Sequence, residues 1–163
     1  LNFYLRQQML LTVRALYFCM EHNWSELGRR FEISPAQQHI LFLLSTHNNT
    51  LTPTQIGELG CWHISTVTRL LKPLQQKELV TVKKDKNTSK YKIVSMTVDG
   101  KKLINSLFDA AKTMELFPFD LRYLSEEEVL SFLECGKKIL DVHKGENFRF
   151  NVISAKVEGG NYG

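Results

Sequence analysis

The sequence predicts a mainly α fold with a small β-hairpin wing (α+β), organised as a winged helix-turn-helix between terminal helices. Three observations lead there. Residues 52–97 read without interruption as a short helix, a tight turn, a hydroxyl-rich helix and a lysine-loaded hairpin. On both sides of that stretch apolar residues recur at helical spacing. Residues 69–102 hold ten Lys or Arg against three Asp or Glu, a local balance of +7 in a chain of net charge +4, so the remainder sums to −3. That asymmetry marks an anion-binding surface.

The first helix carries Leu5, Met9, Val13, Leu16, Tyr17 and Met20 in one stripe, and residues 24–31 could form a separate short helix. Ser34-Pro35-Ala36-Gln37 opens the next one, with serine at the N-cap, proline at the first helical position and glutamine at the third. Ile40, Leu41, Phe42, Leu43 and Leu44 make this helix apolar almost all round, the pattern of a helix buried among others, until His47-Asn48-Asn49 ends it.

Thr52-Pro53-Thr54-Gln55 repeats the capping pattern and starts a short helix that Gly60 breaks; Gly60-Cys61-Trp62 then turns the chain into a second helix from about His63. There Val67, Leu70, Leu71 and Leu74 share one face and would pack inward, leaving Ser65, Thr66, Thr68, Arg69 and Lys72 outside. Such a face suits the DNA major groove. Arginine binds guanine edges bidentately, hydroxyls meet base or phosphate, and a threonine methyl can touch thymine. His63, at the positive end of the helix dipole, could meet a phosphate. Pro73 removes the hydrogen bond to the Arg69 carbonyl, so a bend after Leu71 is expected. That bend either follows the DNA-reading turns, the favoured reading, or re-aims Arg69 and Lys72.

Residues 79–84 are β-prone, residues 85–90 are turn chemistry, and residues 91–97 alternate back through Ile93 and Val94, which together make a wing. Between Lys83 and Lys92 five lysines stand against one aspartate, a charge suited to a phosphate backbone. After Gly100 a long helix is expected through Leu103, Leu107 and Ala110 toward Met114. Ser125-Glu126-Glu127-Glu128 caps a last helix bearing Val129, Phe132, Leu133, Ile139 and Leu140. Those stripes would bury in an intrachain core or against a second chain, and the residues alone leave both open. Residues 146–156 alternate through Phe148, Phe150 and Val152, giving an extra strand or an extended arm, inserted into a partner or packed across its own lobe. Glu158-Gly159-Gly160-Asn161 reads as loose.

With 163 residues, 43% hydrophobic and 23% charged, the chain can bury a core without disulfides or metal, and one domain over residues 1–163 is the expectation. No run of about 18 apolar residues occurs and the amino end lacks a charged-then-apolar signal, so a cytoplasmic, nucleoid-associated protein is expected. The chain begins without Met, and some amino-terminal residues are expected to precede it. Cys19, Cys61 and Cys135 lack metal-type pairing and read as reduced thiols. His22, His39, His47, His63 and His143 lack compact ligand spacing, although His39 and His47 could share a helix face. No cofactor, metal or catalysis is expected.

Ser65-Thr66-Val67-Thr68-Arg69-Leu70-Leu71, then Leu74, Lys77, Leu79-Val80, Asp85 and Thr97-Val98-Asp99-Gly100, resembles the MarR family of bacterial transcriptional regulators, and the resemblance spans nearly the whole chain. Gln38-His39-Ile40-Leu41 and His63-Ile64-Ser65-Thr66 further resemble the subgroup containing the bacillus repressor of extracellular protease production and sporulation. The resemblance implies a homodimer with residues 1–33 and 101–145 as dimerisation helices, 34–100 as the winged helix-turn-helix and 146–163 as a tail. Two such lobes would read a pseudo-palindromic operator on double-stranded DNA.

On this reading Ser65, Thr66, Thr68 and Arg69 provide base readout, and His63, Lys72, Lys83, Lys84, Lys86, Asn87 and Lys90 provide backbone or wing contacts. The chain departs from the family in several places. Asn87 stands where an arginine usually follows the wing aspartate, with Lys86 as the substitute; Lys90 stands where arginine is common, and Glu78 where glycine often closes the recognition helix. A small-molecule effector between dimer helices and lobes is a family habit that these residues neither support nor exclude. The function expected is a sequence-specific DNA-binding transcriptional regulator, a repressor. Two alternatives stand beside it. One is a winged-helix module whose basic wing binds an acidic protein surface. The other is a thiol-based redox sensor or peroxide scavenger using Cys19, near Tyr4 and Tyr17, although a buried, inert cysteine is the favoured reading at that position.

Overall fold

Each long helix begins at a side-chain cap supplied by its own sequence. The structure, a computed structural model, describes residues 1–85 and 92–157. In it Asn2 caps α1 (Phe3–Arg29), Ser34 caps α2 (Pro35–Ser45) and Thr52 caps α3 (Pro53–Gly60). His63 caps α4 (Ile64–Gln76), Thr97 caps α5 (Val98–Lys112) and Ser125 caps α6 (Glu126–Lys144). At Ser34, Thr52 and Ser125 the third helical residue returns a bond to the cap backbone, closing three capping boxes.

The core forms where α2 meets α3, α4, α5 and the sheet. Ile40, Leu41, Leu43 and Leu44 of α2 are fully buried together with Ile56 of α3 and with Val67 and Leu74 of α4; Ile104 and Leu107 of α5 join the same cluster. This is the helix buried among others that the apolar run in residues 40–44 predicts, with Phe42 only partly covered. The wing strands are β2 (Val80–Lys84) and β3 (Lys92–Met96), antiparallel, with Val80 opposite Met96 and Lys84 opposite Lys92. A third strand, β1 (Thr50–Leu51), pairs with the other edge of β3 and sets the order β1-β3-β2. Two residues carry no periodicity, so this strand leaves no trace in the sequence pattern.

Several expectations change. Residues 24–31 do not form a separate helix: α1 runs unbroken to Arg29, because residues 20–27 hold no Gly or Pro to interrupt it. Its end is tied to α2 by the Trp24 indole N–H, which donates to Gln38 Oε1 at 2.9 Å. The tail is neither strand nor extended arm. It is helical, with α7 (Glu146–Phe148) running on as a π-helical turn over Arg149–Ile153. Phe148 and Val152 are one α-turn apart and both pack on the core, whereas Phe150 faces out. An alternating run contains i,i+4 pairs, and packing chose the helical reading. Cys19 is exposed in this chain, as are Cys61 and Cys135, so the buried cysteine expected at position 19 is not found.

Along α1 and α6 the apolar stripes face outward. α1 buries only Leu27 and Gly28, and α6 buries no residue. Phe3, Leu10, Val13 and Phe18 on α1, with Leu130, Phe132, Leu133 and Ile139 on α6, stand among the exposed large hydrophobic side chains.

Candidate nucleic-acid interface

The turn between α3 and α4 aims the second helix. Gly60 ends α3, but it is Cys61 that takes the left-handed conformation, at φ 57°, and the Trp62 N–H then bonds back to the Gly57 carbonyl at 2.8 Å. Gly60 serves a different purpose from the one its breaking power suggests. A β-carbon there would lie 2.4 Å from two carbons of the Trp62 ring, so the missing side chain is the seat of the indole. Trp62 also meets His39 of α2 edge to face, with ring centroids 5.4 Å apart. The turn is thereby anchored to the helix at the centre of the core.

α4 divides as its sequence predicts. Val67, Leu71 and Leu74 are buried and Leu70 is partly buried, while Ser65, Thr68, Arg69 and Lys72 are exposed and Thr66 is half-buried. At its start His63 Nδ1 accepts the Ser65 backbone N–H at 3.3 Å and lies 2.8 Å from Ser65 Oγ. Thr68 Oγ1 donates to the Ile64 carbonyl at 3.0 Å. The helix continues through Pro73 to Gln76 as one segment. Pro73 has no N–H for the Arg69 carbonyl, yet its own carbonyl accepts from Lys77 at 3.0 Å, so the turn beyond it is intact.

Glu78 closes the helix in the left-handed region, at φ 57°, with Leu79 N bonded to Leu74 O at 2.9 Å and Glu78 N to Gln75 O at 3.0 Å. This is a Schellman closure without its customary glycine. Thr97 fastens the same point: its hydroxyl donates to the Glu78 carbonyl at 2.7 Å while accepting from Gly100 N at 3.0 Å. One threonine thus joins the end of α4 to the start of α5 and holds the wing beside the helix.

Lys83 and Lys84 are exposed on β2, and Lys84 sits directly across from Lys92. Like charges on opposed strand positions repel, a cost that a bound anion removes. Among the described residues Arg69, Lys72, Lys83 and Lys84 have no ion-pair partner. The sequence-predicted residues His63, Ser65, Thr66, Thr68, Arg69 and Lys72 therefore lie along one helix, beside a strand carrying Lys83 and Lys84. Lys86, Asn87 and Lys90 lie outside the described residues. Sequence reasoning placed Trp62 in the turn and Lys92 in the basic hairpin, but it missed the seat of the indole on Gly60 and the tie that Thr97 makes between α4 and α5; for the indole the available signal was a glycine two positions before a tryptophan.

Behind the interface a cavity of about 260 Å³ is lined by Trp24 and Leu27 of α1, His39 and Phe42 of α2, Phe108 of α5 and Phe117. Burial pushes the His39 imidazole below its usual pKa, which keeps it neutral in this apolar setting. Among the described residues no group of three or more His, Cys, Asp or Glu is placed to hold a metal ion, and no helix is long and apolar enough to cross a membrane.

Comparison with known proteins agrees with this geometry. Residues 33–89, which run from the α1–α2 loop into the wing, match the model of the MarR family. The HTH-type transcriptional regulator Hpr of Bacillus mycoides is 21% identical over 160 residues, covering 86% of this chain and 85% of that protein. Its namesake in Halalkalibacterium halodurans is 25% identical across 61% of this chain, a stretch that spans only 51% of that relative. In structure, a mutant MarR from E. coli complexed with operator DNA superimposes with a TM-score of 0.75 at 17% identity, covering 86% of this chain and 99% of the other. AbsC, a MarR family transcriptional regulator from Streptomyces coelicolor, gives 0.76 at 14% identity over 89% of this chain and 97% of its own. The capped helices, the three-stranded sheet with its wing and the matched segment agree: the chain has a winged helix-turn-helix fold whose residues 33–89 match the MarR family.

Proposed function

We propose that the chain is a sequence-specific transcriptional repressor that occupies a pseudo-palindromic operator as a homodimer, in the cytoplasm on nucleoid DNA. The observation that carries this is the outer face of α4, where Ser65, Thr68, Arg69 and Lys72 are exposed opposite a buried Val67-Leu71-Leu74 face, beside Lys83 and Lys84, which have no ion-pair partner among the described residues. α4 enters the major groove, with Ser65, Thr66, Thr68 and Arg69 toward base edges. The wing lies along the phosphate backbone, and Lys86, Asn87 and Lys90 extend that contact. The likeness to a MarR held on operator DNA supports this pose.

The dimer is supported by the outward apolar stripes of α1 and α6. Leaving Phe3, Leu10, Phe18, Leu130, Phe132 and Leu133 in water forgoes about 1.5–3 kcal/mol for each side chain that a partner would bury. Large apolar side chains exposed along two helices suit an interface. Residues 1–33 and 101–145 then form the dimerisation region, and residues 34–100 form the reading lobe.

Two measurements test the proposal. Sedimentation equilibrium should return twice the chain mass, and Leu10→Glu combined with Leu133→Glu should return the monomer with helical content kept. Retention of duplex DNA should fall steeply with salt, as release of condensed counterions requires. A monomer at micromolar concentration, or binding indifferent to salt, would refute the corresponding half.

A further inference from the structure

We infer that the outer face of α4 meets DNA bases as a hydrogen-bond acceptor at Ser65 and Thr68, with Arg69 beside them as the cationic donor. This deepens the function proposed above and rests on it. The proton positions are those of the His63 tautomer protonated at Nε2. His63 Nδ1 accepts the Ser65 backbone N–H at 3.3 Å, and a ring nitrogen that accepts carries no proton. In that tautomer the 2.8 Å contact between Nδ1 and Ser65 Oγ is an O–H···N bond, donated by the serine. Ser65 has a single proton to give, and it is committed. One turn further along, Thr68 commits its own to the Ile64 carbonyl at 3.0 Å.

Both hydroxyls turn only oxygen lone pairs outward, which decides what they can bind. Phosphate oxygens accept and do not donate, so neither hydroxyl can bond the DNA backbone in this arrangement. In the major groove the donors are the amino groups of adenine and cytosine, whereas guanine offers N7 and O6 and thymine offers O4, all acceptors. Ser65 and Thr68 thus select an amino base on the strand they face and disfavour a keto base. Arg69, a donor at every nitrogen, has the opposite preference and suits guanine. The His63 proton sits on Nε2, the nitrogen away from Ser65, where it can serve a phosphate.

Selection of bound sequences from a random duplex library, using the full chain and its Ser65→Ala, Thr68→Val and His63→Gly variants, tests this. The parent should enrich adenine or cytosine on one strand at the positions whose selectivity Ser65→Ala and Thr68→Val erase. A keto base placed there should weaken binding by about tenfold. His63→Gly keeps an acceptable helix cap but frees the Ser65 proton, so guanine or thymine should join the amino bases at the Ser65 position alone. The inference is overturned if those positions carry guanine or thymine in the parent selection. It is overturned equally if their preference survives both hydroxyl deletions, or if His63→Gly leaves the Ser65 position unchanged. A parent chain that enriches no sequence overturns the regulator function itself, a result distinct from each of these.

Discussion

The ring of Trp62 occupies the space where a side chain at Gly60 would be, with 2.4 Å from an added β-carbon to the nearest ring atoms. Because Trp62 also packs edge-on against His39, the turn before the recognition helix is wedged between α3 and α2. Gly60→Ala should therefore lower unfolding free energy by about 1–3 kcal/mol, the range for overpacking. Urea titration measures it. Trp62→Leu in the same chain should recover part of that loss, and strictly additive effects would refute the contact as its cause.

Glu78 holds a left-handed conformation at the closure of α4, where a side chain costs about 1–2 kcal/mol relative to glycine. A glycine here would relieve it. Glu78→Gly should stabilise the fold by about 1 kcal/mol after the extra freedom of the unfolded glycine is set against the gain. For a chain of this length that corresponds to a rise of roughly 2–4 °C in Tm. A lower Tm would show that the Glu78 side chain contributes something that its backbone angle conceals.

His39 gives stability a pH dependence whose sign can be worked out. Burial lowers its folded-state pKa, while the unfolded chain binds the proton at about pH 6.5. Above that pH both states are neutral at this position and it contributes no slope. Below it the unfolded state takes up a proton that the folded state refuses, so stability falls with pH down to the folded pKa and then levels. One proton limits the slope to about 1.4 kcal/mol per pH unit. Urea midpoints between pH 8 and pH 5 should show the decline, and His39→Phe should flatten the part that begins near pH 6.5.

Arg69 and the wing lysines should separate by kind of effect. Arg69→Ala should reduce discrimination at one base pair by about 1–3 kcal/mol while leaving affinity for random duplex nearly unchanged. Lys83→Ala and Lys84→Ala should weaken binding to all sequences and reduce the salt slope by about one phosphate contact each. Competition binding at several salt concentrations distinguishes the two patterns. Equal loss on operator and random DNA in Arg69→Ala would remove it from base readout.

The helix starts at Ser34, Thr52 and Ser125, the two faces of α4 and the pairing of β2 with β3 could all be read from residues in order. Each depends on contacts within a few positions, or on a periodicity that repeats over several turns, so neighbouring residues contain the whole cause. The outer residues of α4 were legible for the same reason: once Val67, Leu71 and Leu74 are assigned inward, helical geometry places Ser65, Thr68 and Arg69 outward. What packing alone decided lies at longer range. β1 exists because β3 offers it an edge, and the tail is helical because the core receives Phe148 and Val152 together. Gly60 is where it is because an indole needs the room, and Thr97 joins two helix ends 19 residues apart in sequence. β1, the tail and the Thr97 tie have no local signature, since each is fixed by what the rest of the chain brings alongside.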